Sequence, residues 1–123
     1  MAVLEITSQN IEETINNNEI VIIDFWAPWC GPCKQFGPVF EHSATKNLDV
    51  MHAKVNTDNE QEIAGSFEIK SIPTLAIFKE QTLIYIEAGS LPEEALDQIL
   101  TQVRNLDMDK IREEIKKKES GQA

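Results

Sequence analysis

The feature that most constrains the fold is an apolar segment that runs directly into a pair of closely spaced cysteines. Residues 20–26 are β-branched or aromatic apart from Asp24. A continuous apolar run of this length is typical of a strand covered on both faces, as in a parallel or mixed sheet. Pro32 suits the first turn of a helix, where its missing N–H costs nothing. The sequence therefore places Cys30 and Cys33 where a buried strand passes into a helix.

This location predicts reactive cysteines. Residues at i and i+3 on a helix lie about 5–6 Å apart at Cβ, near enough for small adjustments to form a disulfide. The free N–H groups and partial positive charge of a helix N-terminus favour a thiolate. We expect Cys30, which is first and more exposed, to attack, and Cys33, one turn deeper, to resolve the mixed disulfide. A structural staple is disfavoured, because so short a loop constrains almost nothing.

The residues around the cysteines resemble the active-site segment of the thioredoxin family. Trp-Cys-Gly-Pro-Cys-Lys stands at residues 29–34 and is preceded by Asp-Phe-Trp-Ala at 24–27. The match continues with Lys-Val-Asn-Thr-Asp at 54–58 and Ile-Pro-Thr at 72–74, and it covers most of residues 3–105.

The resemblance implies a protein-disulfide reductase of the thiol–disulfide oxidoreductase class. Its redox group is the Cys30–Cys33 disulfide, and no bound cofactor is implied. Its partners are disulfide-containing proteins and an NADPH-dependent thioredoxin reductase. Gly31 and Pro32 between the cysteines are similar to the family's reductants rather than to its oxidases. The alternative is a non-catalytic interaction or chaperone-like subunit with the same fold.

The resemblance also implies roles for residues outside the cysteine segment. Asp24 is the buried acid that exchanges a proton near Cys33, and Lys54 lies near that acid; the alternatives are a satisfied core carboxylate and a solvated strand lysine. Pro73 is cis and faces the cysteines, and because proline lacks an N–H, the neighbouring Ile72 backbone is left to pair with an extended substrate strand; the alternative is an ordinary proline at a strand start. The implied docking surface consists of Trp29, Gly31, Pro32, Ile72, Pro73, Ala88 and Gly89.

The order of apolar patterns predicts an α/β fold, a central mixed sheet with helices on both faces, which in the family's terms is the thioredoxin fold. Strands are expected at residues 3–6, 20–26, 48–56, 75–78 and 82–87. Helices are expected around 11–15, from the cysteines to about 46, at 59–67 with Asp58 as its cap, and at 93–104. Glu80 and Gln81 replace the Asn-Gly favoured in hairpins, so we expect a longer or less regular turn there.

Length and charge restrict the remaining possibilities. The chain has 123 residues, enough for one domain, and a formal net charge of −10, which makes nucleic acid and anionic membranes poor partners. Residues 1–5 show no signal-peptide pattern, and two cysteines placed for redox chemistry predict a cytoplasmic protein, which we expect to be a monomer. The spacing of His42 and His52 from the cysteines is unlike a zinc finger's, so no metal site is expected.

Residues 107–123 extend beyond the usual end of the family and are predicted to form a C-terminal helical extension to the domain at 1–106. Met108, Ile111 and Ile115 follow the spacing of an amphipathic helix, which Asp107 or Asp109 could cap. Two alternatives remain open. The helix packs against the domain or prolongs the preceding helix, or it docks a partner or a second copy.

Overall fold

The sheet of the computed structural model, which describes residues 3–121, has five strands in the order β1-β3-β2-β4-β5. β1, β3 and β2 are parallel, and β4 and β5 are antiparallel to their neighbours, so the predicted mixed sheet is confirmed. The strands are β1 (Leu4–Glu5), β2 (Ile20–Trp26), β3 (Met51–Asn56), β4 (Thr74–Lys79) and β5 (Thr82–Ala88).

Helices cover both faces of this sheet. They are α1 (Ile11–Asn16), α2 (Gly31–Lys46), α3 (Gln61–Ser66), α4 (Glu93–Arg104) and α5 (Met108–Glu119). None of the helices within residues 3–121 is long and apolar enough to cross a membrane.

The central position of β2 explains its continuous apolar sequence. Because successive side chains of a strand point to opposite faces, Ile20 and Ile22 pack with α2 and α4, whereas Val21 and Ile23 pack with α1 and α3. All four side chains are buried. Asp24 has the same parity as Ile20 and Ile22, so it lies on the α2 face of the sheet.

Three elements are shorter than the sequence predicts: β1, which spans Leu4–Glu5 rather than residues 3–6, β3 and α3. β3 begins at Met51 rather than at residue 48, and Leu48 is 71% exposed, because the apolar residues before β3 belong to the loop that follows α2. α3 begins at Gln61, and its cap is Glu60, whose side chain makes no capping bond. Asp58 is therefore not the cap that the sequence predicted; its carboxylate has a different partner, Trp29.

The connection between β4 and β5 differs from the prediction. Lys79 pairs with Thr82, so the loop consists of two residues only, and the expectation of a longer turn is wrong. Glu80 and Gln81 have φ values of +49° and +69°, the left-handed conformations that a type I′ turn requires. The irregularity lies in the ladder instead, as a register shift between Ile77 and Phe78.

The C-terminal helix is confirmed and is separate from α4. Asp107 caps it by accepting a hydrogen bond from the N–H of Lys110 at 3.2 Å. Met108 is buried, and Arg112 donates to Glu80 in the β4–β5 turn at 2.9 Å. α5 thus packs back on the domain through its first turns, as one of the two alternatives predicted. Docking of a partner on this helix stays a hypothesis.

Candidate active site

The two cysteines form a disulfide at the N-terminus of α2, with their Cα atoms 5.2 Å apart. Cys30 is the N-cap residue, and its Sγ accepts a hydrogen bond from the N–H of Cys33 at 3.2 Å. Gly31 and Pro32 occupy the first positions of the helix and are exposed. The positive end of the helix is therefore directed at the sulfur of Cys30, where it would stabilise a thiolate after reduction.

The exposure of the cysteines corrects one prediction. Cys30 and Cys33 are each 4% exposed, so Cys30 is not the more accessible of the two. Its Sγ lies 3.6 Å from the carbonyl oxygen of Ile72, and both cysteines pack with Ala27. Ile72, which is 42 residues away in the sequence, therefore covers the sulfur of Cys30. Its place at the helix cap, rather than its exposure, distinguishes it from Cys33.

The segment opposite the disulfide has the predicted conformation. The Ile72–Pro73 peptide bond is cis. The carbonyl of Pro73 accepts a hydrogen bond from the N–H of Gly89 at 2.8 Å, and Ala88 pairs with Thr74. The φ of Gly89 is +115°, a value that favours glycine. Four of the predicted docking residues, Ile72, Pro73, Ala88 and Gly89, are thus brought together beside the cysteines.

A groove of about 180 Å³ lies between Trp29 and Ile72. The Trp29 ring is 69% exposed, and its Nε1 donates to the carboxylate of Asp58 at 3.2 Å. Thr57 also lines the groove. Its hydroxyl donates a hydrogen bond to the Trp26 carbonyl at 3.2 Å, so its proton is used within the domain. The groove is a partly exposed surface next to the disulfide, lined by both apolar and polar side chains.

The buried side of the site is a second cavity, of about 190 Å³, beneath α2. It brings together three of the four residues predicted to carry the chemistry, Asp24, Cys33 and Lys54. Asp24 of β2 pairs in register with Lys54 of β3, so both side chains lie on the same face of the sheet. The Nζ of Lys54 lies 5.4 Å from the centre of the Trp26 ring.

Burial sets the proton affinity of Asp24. The residue is 4% exposed, and its Oδ1 finds no hydrogen-bond partner in the part of the chain from 3 to 121. Desolvation therefore raises the pKa of Asp24 to about 7, and the positive charge of Lys54 opposes the rise. Near neutral pH this carboxyl can accept a proton or release one.

The cavity is also lined by residues that the sequence analysis did not assign to the site, among them Trp26, Gly37 and Glu41. Trp26 lies two residues after Asp24 and shares its face of the strand, and its Nε1 is buried without a partner in the described chain. Gly37 and Glu41 follow Cys33 at intervals of four, which places them on one face of α2. Both periodicities could have been read from the sequence.

The histidines have other contacts. Within residues 3–121, no group of three or more histidine, cysteine, aspartate or glutamate side chains could hold a metal ion. The ring of His42 contacts Glu93 on α4. His52 is buried and lies 2.9 Å from the Oγ of Ser43 through its Nε2.

A disulfide at a helix N-terminus, facing a cis-proline at the end of a mixed sheet, defines the thiol–disulfide oxidoreductase class. The family model described as Thioredoxin matches residues 2–102. The chain belongs to the thioredoxin family, and it is a protein thiol–disulfide oxidoreductase with a redox-active cysteine pair.

Individual relatives agree with this assignment. A Streptomyces coelicolor protein assigned as thioredoxin 2 is 49% identical over 112 residues, which are 91% of this chain and 84% of the relative. Thioredoxin of Bacillus subtilis is 37% identical over 101 residues, 81% of this chain and 96% of the relative. A solved mutant thioredoxin from Halobacterium salinarum has a TM-score of 0.78 at 28% identity, covering 87% of this chain and 98% of that one.

Proposed function

We propose that this chain is a dithiol reductant of protein disulfides, in which Cys30 attacks the substrate and Cys33 resolves the mixed disulfide. The observation that supports these roles is the asymmetry of the pair. The sulfur of Cys30 receives the N–H of Cys33 at the helix N-terminus, whereas Cys33 lines the cavity that contains Asp24.

In the first step, the Cys30 thiolate attacks one sulfur of the substrate disulfide. A bond forms between Cys30 and that sulfur, the substrate's own disulfide bond breaks, and the second substrate sulfur leaves as a thiolate that takes a proton from solvent. The helix N-terminus favours this step because its N–H groups and partial positive charge stabilise the attacking thiolate.

In the second step, Cys33 must become a thiolate to attack the sulfur of Cys30. We assign Asp24 as the base that takes the Cys33 proton, since a carboxyl whose pKa is about 7 is ionised often enough to accept it and protonated often enough to return it. The remaining substrate sulfur leaves as a thiolate, and two electrons have then passed from the dithiol to the substrate. Lys54 favours the ionised form of Asp24 through its positive charge.

The proposed docking surface is the rim around the disulfide, in which Ile72 is half-buried, Pro73 is buried and the other residues are exposed. It consists of Trp29, Gly31, Pro32, Ile72, Pro73, Ala88 and Gly89. Trp29 and Ile72 border the groove beside the cysteines, and the substrate would lie as an extended strand against the Ile72 backbone.

Regeneration of the dithiol requires a reductant of its own. By analogy with the family, an NADPH-dependent thioredoxin reductase would reduce the Cys30–Cys33 disulfide. The chain would act as a monomer in the cytoplasm. The net charge of −10 supports protein partners over nucleic acid or anionic membranes.

The test is reduction of insulin disulfides by the wild type and by Cys30→Ser, driven by NADPH and a thioredoxin reductase. We expect turnover by the wild type and none by the variant, with circular dichroism showing that the variant is folded. If the wild type fails, dithiothreitol in place of the reductase distinguishes a mismatched reductase from a protein that binds without turnover. Biological activity retained by Cys33→Ser would support the interaction-subunit alternative and contradict this proposal.

A further inference from the structure

Gly37 lies inside α2, where glycine is unfavourable. It follows Cys33 by four residues and lines the cavity that contains Asp24. Glycine destabilises a helix interior relative to alanine, because it loses more backbone freedom on folding. Contact with the rest of the domain does not explain it, since a Cβ at this position would meet no atom within 4 Å, beyond its chain neighbours and its own helix backbone, and its φ is not in the left-handed range.

The cavity has the properties of a water-filled one. It has a volume of about 190 Å³, well above the space one water molecule needs. Two of its lining side chains also have a buried polar atom without a partner among the described residues, the Oδ1 of Asp24 and the Nε1 of Trp26. Water that reached these atoms would satisfy both, and burial without it would be costly.

The exposure of the residues around Asp24 indicates on which side the cavity opens to solvent. From β3 the facing residue is Lys54, from β4 the paired neighbour is Leu75, and from α2 the facing residues are Cys33, Lys34 and Glu41. Lys34 and Glu41 are exposed and Asp24 is not, so the α2 side is the opening of the cavity. Gly37 lies on this side.

We propose that Gly37 is a positioning residue for the oxidoreductase reaction: its missing side chain keeps the cavity beneath α2 open, so that water reaches Asp24. This inference rests on the proposed role of Asp24 as the base for Cys33. The proton that Asp24 takes from Cys33 then passes to solvent through the cavity, and a proton returns by the same route when the disulfide is reduced again.

The test fills the cavity in two steps, with Gly37→Ala and Gly37→Leu. The matched controls are Gly65→Ala and Gly65→Leu, because Gly65 is helical and exposed and a Cβ there also meets nothing within 4 Å. The first readout is the titration midpoint of the Asp24 carboxyl carbon, measured by ¹³C NMR in the oxidised protein. We expect it to rise with side-chain size at position 37, by about half a pH unit or more for leucine, and to stay unchanged in the controls.

A purely structural role predicts a different result. A side chain preceding Pro38 can clash with the proline ring, which would lower stability without moving the Asp24 midpoint. An unchanged midpoint in a folded Gly37→Ala would therefore overturn the proposal, whatever happens to the melting temperature.

The second readout is the pH profile of oxidation of the reduced protein by a disulfide substrate. If the Asp24 midpoint moves and the profile moves with it, both Gly37 and Asp24 act as proposed. If the midpoint moves and the profile does not, Gly37 controls hydration but Asp24 is not the base, and the mechanism rather than this inference is wrong.

Discussion

Replacing Asp24 by asparagine should stabilise the folded protein, and by more as the pH rises. Asp24 is buried on the α2 face of the sheet, and its Oδ1 has no partner in the chain from 3 to 121. Ionising this carboxyl in the folded state is costly, because the charge loses its hydration. Asp24→Asn keeps the shape of the side chain and removes the ionisation.

The magnitude follows from the two protonation equilibria. Folding moves the pKa of Asp24 from an ordinary 3.8 to about 7. Between these values the folded state holds more protons than the unfolded state, so the free energy of unfolding decreases as the pH rises. At 1.36 kcal/mol per pKa unit, the full loss is about 4 kcal/mol above both values, of which about 2.5 kcal/mol falls between pH 5 and pH 8.

The assay is urea unfolding of the oxidised wild type and of Asp24→Asn at several pH values between 5 and 8. The difference in free energy of unfolding between the two proteins should grow by about 2.5 kcal/mol over this range. Taking the difference cancels the other titrating groups that the two proteins share. A difference that stays constant with pH would refute the reasoning, because it would mean that folding does not change the protonation of Asp24.

Three further predictions concern stability. Burial lowers the pKa of His52, so the unfolded state binds more protons than the folded state, and the free energy of unfolding should fall as the pH drops below about 6.5. In urea titrations at a series of pH values, His52→Gln should reduce this fall. The buried ammonium of Lys79 donates to three carbonyls at the end of α4, so Lys79→Met should lower the free energy of unfolding by about 2–3 kcal/mol, whereas Lys70→Met at an exposed position should not. Gln81→Gly should raise the free energy of unfolding by about 1 kcal/mol, because φ at this position is +69°. Gln102→Gly within α4 should lower it by a similar amount. Thermal unfolding measures both variants, and equal effects would contradict the turn assignment.

The part of the fold that the sequence predicts best is the part with a strong local pattern. β2 runs from Ile20 to Trp26 as expected, because a strand in the middle of a sheet is apolar on both faces. The same period of two places Asp24 and Trp26 on one face, and the helical interval of four places Cys33 and Gly37 together. Local periodicity therefore predicts which residues of β2 and α2 lie around the buried cavity.

Contacts between distant parts of the chain account for what the sequence did not predict. Asp58 stands where a local pattern favours a helix cap, but its carboxylate binds Trp29, 29 residues away. Cys30 is covered by Ile72, 42 residues away. These distances in sequence leave no periodic signal, so local patterns predict neither contact, and only the resemblance to the family placed Ile72 beside the cysteine segment.

The β4–β5 turn shows tertiary contacts prevailing over local preference. Glu80 and Gln81 are poor residues for left-handed positions. However, the N–H of Glu80 donates to the Glu19 carbonyl at 2.7 Å, and its carboxylate binds Arg112 of α5. These contacts stabilise a two-residue turn that the intrinsic preferences of Glu80 and Gln81 do not favour.

The most direct test of the proposed mechanism is to trap the mixed disulfide. The reduced Cys33→Ser and Cys30→Ser variants would each be mixed with a disulfide-containing protein, quenched with acid and analysed by mass spectrometry. The account predicts a covalent adduct on Cys30 in the Cys33→Ser variant, and little or none in the Cys30→Ser variant. An adduct that accumulates on Cys33 instead would contradict the assignment of Cys30 as the attacking thiolate at the helix N-terminus.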